Sequence, residues 1–240
     1  SMYRFFLRQE LQEGPLIITD ASFTNQLRRV LRMRAGDDIL LFSDGPVFGW
    51  DFQFRIEKLT ERMVNGEVTG RAKNDREPRV NVTLCHAFIK KDKMELVFEK
   101  GTEIGVNTFV PLLTERSLKR GISEERAGKI VKEAAEQSGR ARVPIVSNPL
   151  VFEDAIQFAK EQNGLNVLAH EKEAGRTLDV APSARSCITL FIGPEGGFSE
   201  KEVSTARNAG FFITSLSRRV LRAETAAIVG SYAVLHRFGS

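Results

Sequence analysis

The sequence predicts an α/β protein in which a small β-barrel domain precedes a larger domain built on a mainly parallel sheet. Five short strand patterns fall within the first 72 residues, separated by turn signals such as Glu13-Gly14-Pro15 and Asn65-Gly66, and this spacing is typical of a small barrel. From Val80 onward, short apolar strands alternate with helical patterns, the order expected of a parallel sheet covered by helices. The polar residues 73–79 are predicted to link the barrel of residues 1–72 to the α/β domain of residues 80–240.

The composition excludes several classes of protein. The chain has 240 residues, 42% of them hydrophobic and 28% charged, which is too apolar and too balanced in charge for a disordered protein. Predominantly apolar runs such as Ile188–Ile192 are far too short to cross a bilayer, and the charged start of the chain does not resemble a secretory signal. Cys85 and Cys187 lie in apolar runs, and no Cys/His spacing suits zinc. We therefore expect a cytoplasmic protein without a metal ion.

The barrel domain is predicted to contain five strands and one arginine-rich helix. The strands are Tyr3–Leu7, Leu16–Thr19, Asp38–Phe42, Trp50–Leu59 and Met63–Thr69. The helix spans residues 21–33, with Leu27, Val30 and Leu31 on its buried face. Residues 24–34 include four arginines and no acid, a pattern that suits contact with phosphates, although a solvated helix surface explains it equally well. The net charge of +4 is too small to identify a partner by itself.

Five strands and five helices are predicted in the second domain. The helices follow from apolar residues at helical spacing and from caps, among them a capping box formed by Ser199 and Glu202. The predicted strands are Val80–Ile89, Thr108–Leu113, Val167–Ala169, Ile188–Ile192 and Phe212–Leu216. The predicted helices span residues 94–104, 123–138, 152–162, 199–210 and 224–238.

Three loops at the carboxyl ends of these strands are the candidates for chemistry, because ligands of parallel sheets bind there. They span residues 169–172, 193–199 and 216–224. The glycines of the middle loop, Gly193–Ser199, would let a ligand approach the backbone closely. This loop lacks the spacing of phosphate-binding loops, and Glu195 would repel a phosphate. It therefore predicts a neutral or positively charged ligand, the alternative being a plain tight turn.

The third loop concentrates positive charge just before the last helix. Arg218, Arg219 and Arg222 would oppose the helix dipole at a helix N-terminus. An anionic partner, or carboxylates such as Glu195 and Glu224, would explain them better. A solvated first turn is the alternative.

Four motifs occur together and in order along the chain: Lys100–Val106, Glu133–Arg140, Gly193–Ser199 and Val220–Ala226. Through them the whole chain resembles the RsmE family of ribosomal RNA small subunit methyltransferases. The resemblance implies an S-adenosylmethionine-dependent enzyme that methylates N3 of a uridine in 16S rRNA, position 1498 in standard rRNA numbering. It also implies the SPOUT fold with a deep C-terminal trefoil knot, a PUA-like RNA-binding barrel in front of it, and a homodimer that acts on the small ribosomal subunit.

The resemblance assigns three sets of site residues. Those expected to hold the cofactor are Leu168, Ala169, His170, Ile192, Gly193, Pro194, Glu195, Gly196, Leu216, Ser217, Arg219, Val220 and Leu221. The catalytic candidates are Arg222, which could stabilise an anionic uracil, and Glu195, Glu224 and His170, which could accept the N3 proton. Contact with RNA is expected from Arg4, Arg8, Arg28, Arg29, Arg32, Lys90 and Lys93.

Two positions depart from the family pattern. Ser217 stands where the family usually has glycine, which predicts that this position does not need a left-handed backbone. Asn25-Gln26 stands where the arginine-rich helix often carries histidine, which puts any role of that histidine in doubt. Two other functions fit the same motifs: a non-catalytic RNA-binding factor of ribosome assembly, and a methyltransferase acting on tRNA, on a ribose hydroxyl or on another RNA site.

Overall fold

The fold was obtained as a computed structural model that describes residues 2–45, 48–119, 121–173, 177–183 and 186–239. The chain divides into two compact units. The first extends to Glu77 and also contains Gly139–Val143, whereas the second comprises Pro78–Ser138 and the chain from Pro144 onward. This division differs from the expected linker of residues 73–79 and from a second domain that is continuous from residue 80.

Ion pairing explains why Gly139–Val143 belongs to the first unit. The Arg140 guanidinium donates to both carboxylate oxygens of Glu77, at 2.8 and 2.7 Å. The Glu77 carboxylate also accepts from the backbone N–H of Ala141 at 2.9 Å, and the Asn74 side chain donates to the Gly139 carbonyl at 3.0 Å. A bidentate pair with added backbone bonds is among the stronger polar contacts, so these residues stay with the first unit although they lie far along the chain.

The first unit is a five-stranded sheet in the order β1-β3-β4-β5-β2. Its strands are β1 (Arg4–Phe6), β2 (Gly14–Ile18), β3 (Asp38–Phe42), β4 (Trp50–Leu59) and β5 (Val64–Lys73). β1 pairs in parallel with β3, and the other pairs are antiparallel. Leu27, Ile39, Leu41, Phe54 and Ile56 are fully buried in its core. All five predicted strands are confirmed to within a few residues, and only β5 extends well beyond its prediction.

Asn65-Gly66 lies inside β5, which agrees with the predicted strand Met63–Thr69 and contradicts the turn signal at the same two residues. Gly66 pairs with Ile56 of β4 next to an irregularity in the register. A Cβ at Gly66 would collide with the Arg55 carbonyl oxygen and with the Phe54 ring. Glycine is therefore present here because two strands approach closely.

The arginine-rich helix is half α and half π. Helix α1 (Ala21–Asn25), which is capped by the Asp20 side chain at the Phe23 N–H, continues as a π-helix over Gln26–Val30. Because each π-helical hydrogen bond spans one residue more than an α-helical one, the side chains turn away from their expected face. Leu27 is buried as predicted, but Val30 is 68% exposed, so its placement on the buried face was wrong.

The second unit is a seven-stranded parallel sheet in the order β12-β10-β11-β6-β7-β8, with β9 beside β7. This confirms the predicted α/β class with a mainly parallel sheet. The strands are β6 (Asn81–Ala87), β7 (Thr108–Leu113), β8 (Ile145–Val146), β9 (Leu150–Val151), β10 (Leu165–Ala169), β11 (Cys187–Ile192) and β12 (Phe212–Thr214). The two-residue strands β8 and β9 are too short to produce a recognisable pattern, and they were not predicted.

Five helices pack around this sheet. They are α2 (Lys91–Ile104), α3 (Glu124–Ser138), α4 (Phe152–Glu161), α5 (Glu200–Asn208) and α6 (Ala223–Phe238). The predicted capping box is confirmed, since Ser199 and Glu202 exchange both hydrogen bonds at the start of α5. Helix α6 follows the edge strand β12 but packs against α2, β6 and β11. Within the described part of the chain, none of the helices combines the length and the hydropathy that a membrane span needs.

Candidate active site

The three predicted loops meet around one cavity of about 290 Å³ in the second unit. β10, β11 and β12 are parallel, so their carboxyl ends lie at the same edge of the sheet. The residues that line the cavity are Arg116, Ala169–Lys172, Ile192–Phe198, Ser215–Ser217, Arg219–Ala223 and Ala226. Loops that are far apart in sequence thus form a single site.

The middle loop is compact because it is rich in glycine. A Cβ at Gly193 would lie 3.1 Å from the Phe198 nitrogen and 3.2 Å from the Gly197 carbonyl carbon. Gly197 has a φ of +67°, and its N–H donates to the Pro194 carbonyl at 2.9 Å. Side chains at Gly193 and Gly197 would therefore open the loop or strain it.

Two long side chains hold this loop in place. The buried Glu202 carboxylate accepts from the Ser199 N–H at 2.8 Å and from the Glu115 N–H at 2.9 Å. The Arg116 guanidinium donates to the Gly196 carbonyl at 2.9 Å. The bonds that involve Glu115 and Arg116 join the loop and the start of α5 to the segment after β7. Arg116 was missed because it comes from a different strand end, and no sequence pattern connects it to the glycine loop.

The third loop is ordered by serine hydroxyls. Ser215 donates to the Ser217 carbonyl at 2.8 Å, and the Ser217 hydroxyl accepts from the Arg219 N–H at 3.1 Å. The non-glycine residues with positive φ in the described chain are Arg32 and Asn163. Ser217 therefore has a negative φ, as predicted, and serine replaces glycine there without backbone strain.

Most of the residues expected to hold the cofactor line this cavity, but Leu168 does not. Leu168 lies in β10, fully buried between β11 and β12. Of the expected catalytic residues, Arg222, Glu195 and His170 line the cavity. Glu224 is instead buried in the first turn of α6, outside the lining.

Lys93 connects the two carboxylates. Its Nζ lies 3.4 Å from Glu224 Oε2 and 3.8 Å from Glu195 Oε1. The side chain of Lys93 is 24% exposed, and its ammonium is paired with these acids, whereas the sequence suggested a contact with RNA.

His86, at the end of β6, was not predicted as a site residue. Its ring is buried, with Nδ1 against the Ala87 carbonyl and Nε2 3.4 Å from the Ala223 carbonyl at the start of α6. Burial lowers the pKa of His86, while the two backbone carbonyls and the carboxylates of Glu195 and Glu224 act against that shift. The imidazole is therefore neutral near pH 7 and donates to one carbonyl at a time.

The polar groups that line the cavity suit the expected cofactor, S-adenosylmethionine. The glycine-rich wall exposes backbone groups that can bind an adenosine, and Glu195 favours a positive sulfonium over a phosphate. Among the described residues, no cluster of three His, Cys, Asp or Glu side chains is placed to hold a metal ion.

The residues expected to contact RNA fall into different environments. Arg4 is 7% exposed, forms an ion pair with Asp51 at 2.6 Å and stacks on Phe42. Its expected role was wrong, because this pair buries the guanidinium. Arg8, Arg29, Arg32 and Lys90 are exposed, and Arg28 is half-buried beside Glu61 at 3.4 Å. Arg28, Arg29, Arg32, Arg34 and Lys58 line a shallow basic groove on the first unit, with Glu57 as its acidic member.

Comparison with known proteins places the chain among methyltransferases. A family model described as an RNA methyltransferase domain matches residues 76–235. A ribosomal RNA small subunit methyltransferase E from Rickettsia conorii is 32% identical over 232 residues, covering 94% of this chain and 91% of that protein. The protein of the same description from Bacillus subtilis is 29% identical and covers 98% of this chain and 97% of its own length.

Solved structures of two proteins match this chain over its full length. A protein from Legionella pneumophila solved in complex with the bound cofactor SAM superposes with a TM-score of 0.90 at 30% identity, over 100% of this chain and 99% of that one. A ribosomal RNA small subunit methyltransferase E from Neisseria gonorrhoeae bound to S-adenosyl methionine gives a TM-score of 0.88 at 29% identity, with the same coverage.

Proposed function

The chain belongs to the ribosomal RNA small subunit methyltransferase E family of RNA methyltransferases, and from that premise we propose that it methylates N3 of a uridine in 16S rRNA, position 1498 in standard numbering. The observation that carries the proposal is the cavity built from the loops after β10, β11 and β12. Relatives that match the chain over its full length include proteins solved with bound S-adenosylmethionine. With the small ribosomal subunit as its substrate, the enzyme is proposed to act in the cytoplasm.

The path of the chain supports a C-terminal knot. β12 lies at the edge of the sheet, whereas α6, which follows it, packs against β6 and β11 near the middle. The loop between them lines the cavity together with the loop after β11. A late segment that returns past earlier strand ends is what a trefoil knot requires. We likewise propose that the five-stranded unit with its apolar core is the PUA-like barrel.

S-adenosylmethionine, when bound, supplies an electrophilic methyl group. The loop backbones at Ala169–His170, Ile192–Gly196 and Leu216–Leu221 would hold it, and Glu195 would add a negative charge to the wall. Positioning of the cofactor by these loops would supply much of the acceleration.

The uridine must be unpaired or flipped, because N3 lies on the Watson–Crick edge. N3 also carries a proton that has to be removed. Of the two expected catalytic carboxylates, Glu195 lines the cavity and Glu224 does not, so Glu195 is the favoured carboxylate to accept the proton. His170, which also lines the cavity, is the alternative acceptor. Arg222 lines the same cavity and stabilises the negative charge that develops on the uracil oxygens.

Mass spectrometry of 16S rRNA and of 30S subunits after incubation with the protein and S-adenosylmethionine tests the proposed function. One added methyl group on uridine 1498 is expected, together with a stop of reverse transcription at that base. Methylation at another nucleotide would indicate a different RNA site. Cofactor binding without any methylated product would indicate a non-catalytic assembly factor.

The basic groove on the first unit is proposed to bind the rRNA backbone. Its arginines come from the π-helical turn and the residues after it, with Arg29 and Arg32 exposed. Guanidinium groups bind phosphates bidentately and release counterions when they do so. Arg8 and Lys90, both exposed, are proposed to add to this contact.

Replacing Arg28, Arg29 and Arg32 by alanine is expected to weaken binding to 16S rRNA and to flatten its salt dependence. Each lost phosphate contact makes the negative slope of log K against log salt less steep by about 0.9 or less. Filter binding between about 50 and 200 mM salt measures the slope, because such effects are large in this range. Alanine at the exposed Lys129, Lys132 and Lys201 of the second unit removes the same charge and should leave the slope nearly unchanged.

We also propose that α6 forms a homodimer interface. Val229 and Tyr232 are 44% and 59% exposed, and Ile228 beside them is half-buried. Leu235, one turn further along the same helix, is buried in the core. Large apolar side chains clustered on one exposed helix face are typical of a protein interface.

The double variant Val229→Glu/Tyr232→Glu is expected to be monomeric in analytical ultracentrifugation, where the wild type sediments as a dimer. Charges buried in an apolar interface without partners oppose association strongly. The control is Ile17→Glu, which adds a charge at another exposed apolar position, in β2 of the first unit. A variant that remains dimeric would move the interface away from α6.

A further inference from the structure

We infer that Lys93 is a positioning residue for methyl transfer, which acts through the two carboxylates beside the cavity. This inference rests on the proposed function. Lys93 lies in the first turn of α2, Glu195 lies in the loop after β11, and Glu224 lies in the first turn of α6. Its Nζ is 3.4 Å from Glu224 Oε2 and 3.8 Å from Glu195 Oε1. One ammonium group thus connects three segments that are separated in sequence.

Glu224 needs a cation at this place. Its side chain is 11% exposed, and Oε2 is buried with no hydrogen-bond partner in the described structure. An ionised carboxylate in such surroundings is strongly unfavourable unless a positive charge compensates it. The N-terminus of α6 contributes part of that compensation, and the Lys93 ammonium contributes the rest.

His86 does not replace Lys93 in this role. Its buried ring contacts the Ala223 carbonyl next to Glu224, but the neutral imidazole carries no charge near pH 7. Arg222, the neighbour of Ala223, is exposed at the cavity. Lys93 is the basic side chain within ion-pair distance of both carboxylates in the described chain.

The charge of this cluster matters for methyl transfer. With Lys93 the three groups carry one negative charge, and without it they carry two. The cofactor sulfonium is positive before transfer, whereas the sulfur of the product, S-adenosylhomocysteine, is neutral. A more negative wall would therefore favour the bound cofactor over both the product and the transition state, in which the positive charge is being lost. Lys93 limits that preference and holds Glu195 in place at the wall.

Calorimetric titration with S-adenosylmethionine and with S-adenosylhomocysteine, and single-turnover methylation of 30S subunits, test this role. Lys93→Met is expected to raise the preference for cofactor over product roughly three- to tenfold, as one unit charge acting across a protein interior would. It should also slow single turnover by about tenfold or more. Lys93→Arg keeps the charge and should retain the wild-type preference. Lys91→Met removes one charge from the same turn of α2, where the side chain is exposed, and should change neither quantity.

Glu224→Gln keeps the test decisive if Lys93→Met does not fold. It removes one negative charge and should shift the cofactor-to-product preference in the opposite direction. Any of three results would overturn the inference. Lys93→Met could change the affinities for cofactor and product equally, Lys91→Met could have an effect of the same size as Lys93→Met, or Glu224→Gln could leave the cofactor-to-product preference unshifted. A wild-type protein that binds neither ligand and methylates no rRNA would overturn the proposed function itself, which these variants cannot do.

Discussion

Arg222→Ala is expected to slow single-turnover methylation by about 10²- to 10³-fold while the affinity for S-adenosylmethionine stays within about twofold of wild type. Arg222 is the N-cap residue of α6 and its exposed side chain lines the cavity. A guanidinium there opposes the dipole of α6, so the residue does not serve helix stability. Its expected use is at the uracil oxygens, where negative charge develops only when N3 loses its proton. Stabilisation restricted to the transition state changes turnover and leaves cofactor binding intact.

The matched control is Arg218→Ala. Arg218 is exposed in the same loop but does not line the cavity, and its removal changes the net charge equally. It should keep wild-type turnover. The two variants are compared by calorimetry and by single-turnover assays on 30S subunits. Unchanged turnover in Arg222→Ala, or equal losses in both variants, would remove Arg222 from the mechanism.

Gly193→Val is expected to weaken cofactor binding roughly 10- to 100-fold, the range that overpacking of 1–3 kcal/mol produces. A Cβ at Gly193 would lie 3.1 Å from the Phe198 nitrogen and 3.2 Å from the Gly197 carbon. Backbone atoms cannot rotate away as a side chain would, so the loop has to open. That loop forms one wall of the cavity, and its displacement would disturb the backbone groups that hold the cofactor.

Gly128→Val is the matched control. Gly128 lies in α3 of the same unit, and a Cβ there meets no atom within 4 Å. Cofactor affinity should be unchanged in this variant. Thermal unfolding of both variants separates a damaged site from a damaged fold. A Gly193→Val protein that binds the cofactor as tightly as wild type would show that the loop tolerates a wider backbone path.

Most helices and strands could be predicted because local patterns specify them. The capping box at Ser199 and Glu202 marks the start of α5, and alternating or continuous apolar runs mark strands such as β3 and β7. Predictions failed where a distant contact overrides a local preference. Asn65-Gly66 is a strand rather than a turn because β4 approaches Gly66 closely.

Site residues were predictable where the chain itself presents them at strand ends. Glu195, Arg222 and the glycine loop follow this rule. Arg116 and Lys93 do not, because each reaches the site from another strand or helix. Arg4 failed for the opposite reason, because Asp51 pairs with its guanidinium and the side chain is buried. Burial and ion pairing depend on partners that lie elsewhere in the sequence.

The sequence by itself determined the α/β class, the order of the elements, the glycine loop with its carboxylate, and the family. These features depend on residue spacing, caps and motifs, all of which are local along the chain. Only the tertiary structure decided which loops share a cavity, that Gly139–Val143 joins the first unit, and that Lys93 faces Glu195 and Glu224. The physical reason is that electrostatic and packing energies depend on distance in space, and the fold brings these groups within 4 Å across more than 100 residues of chain.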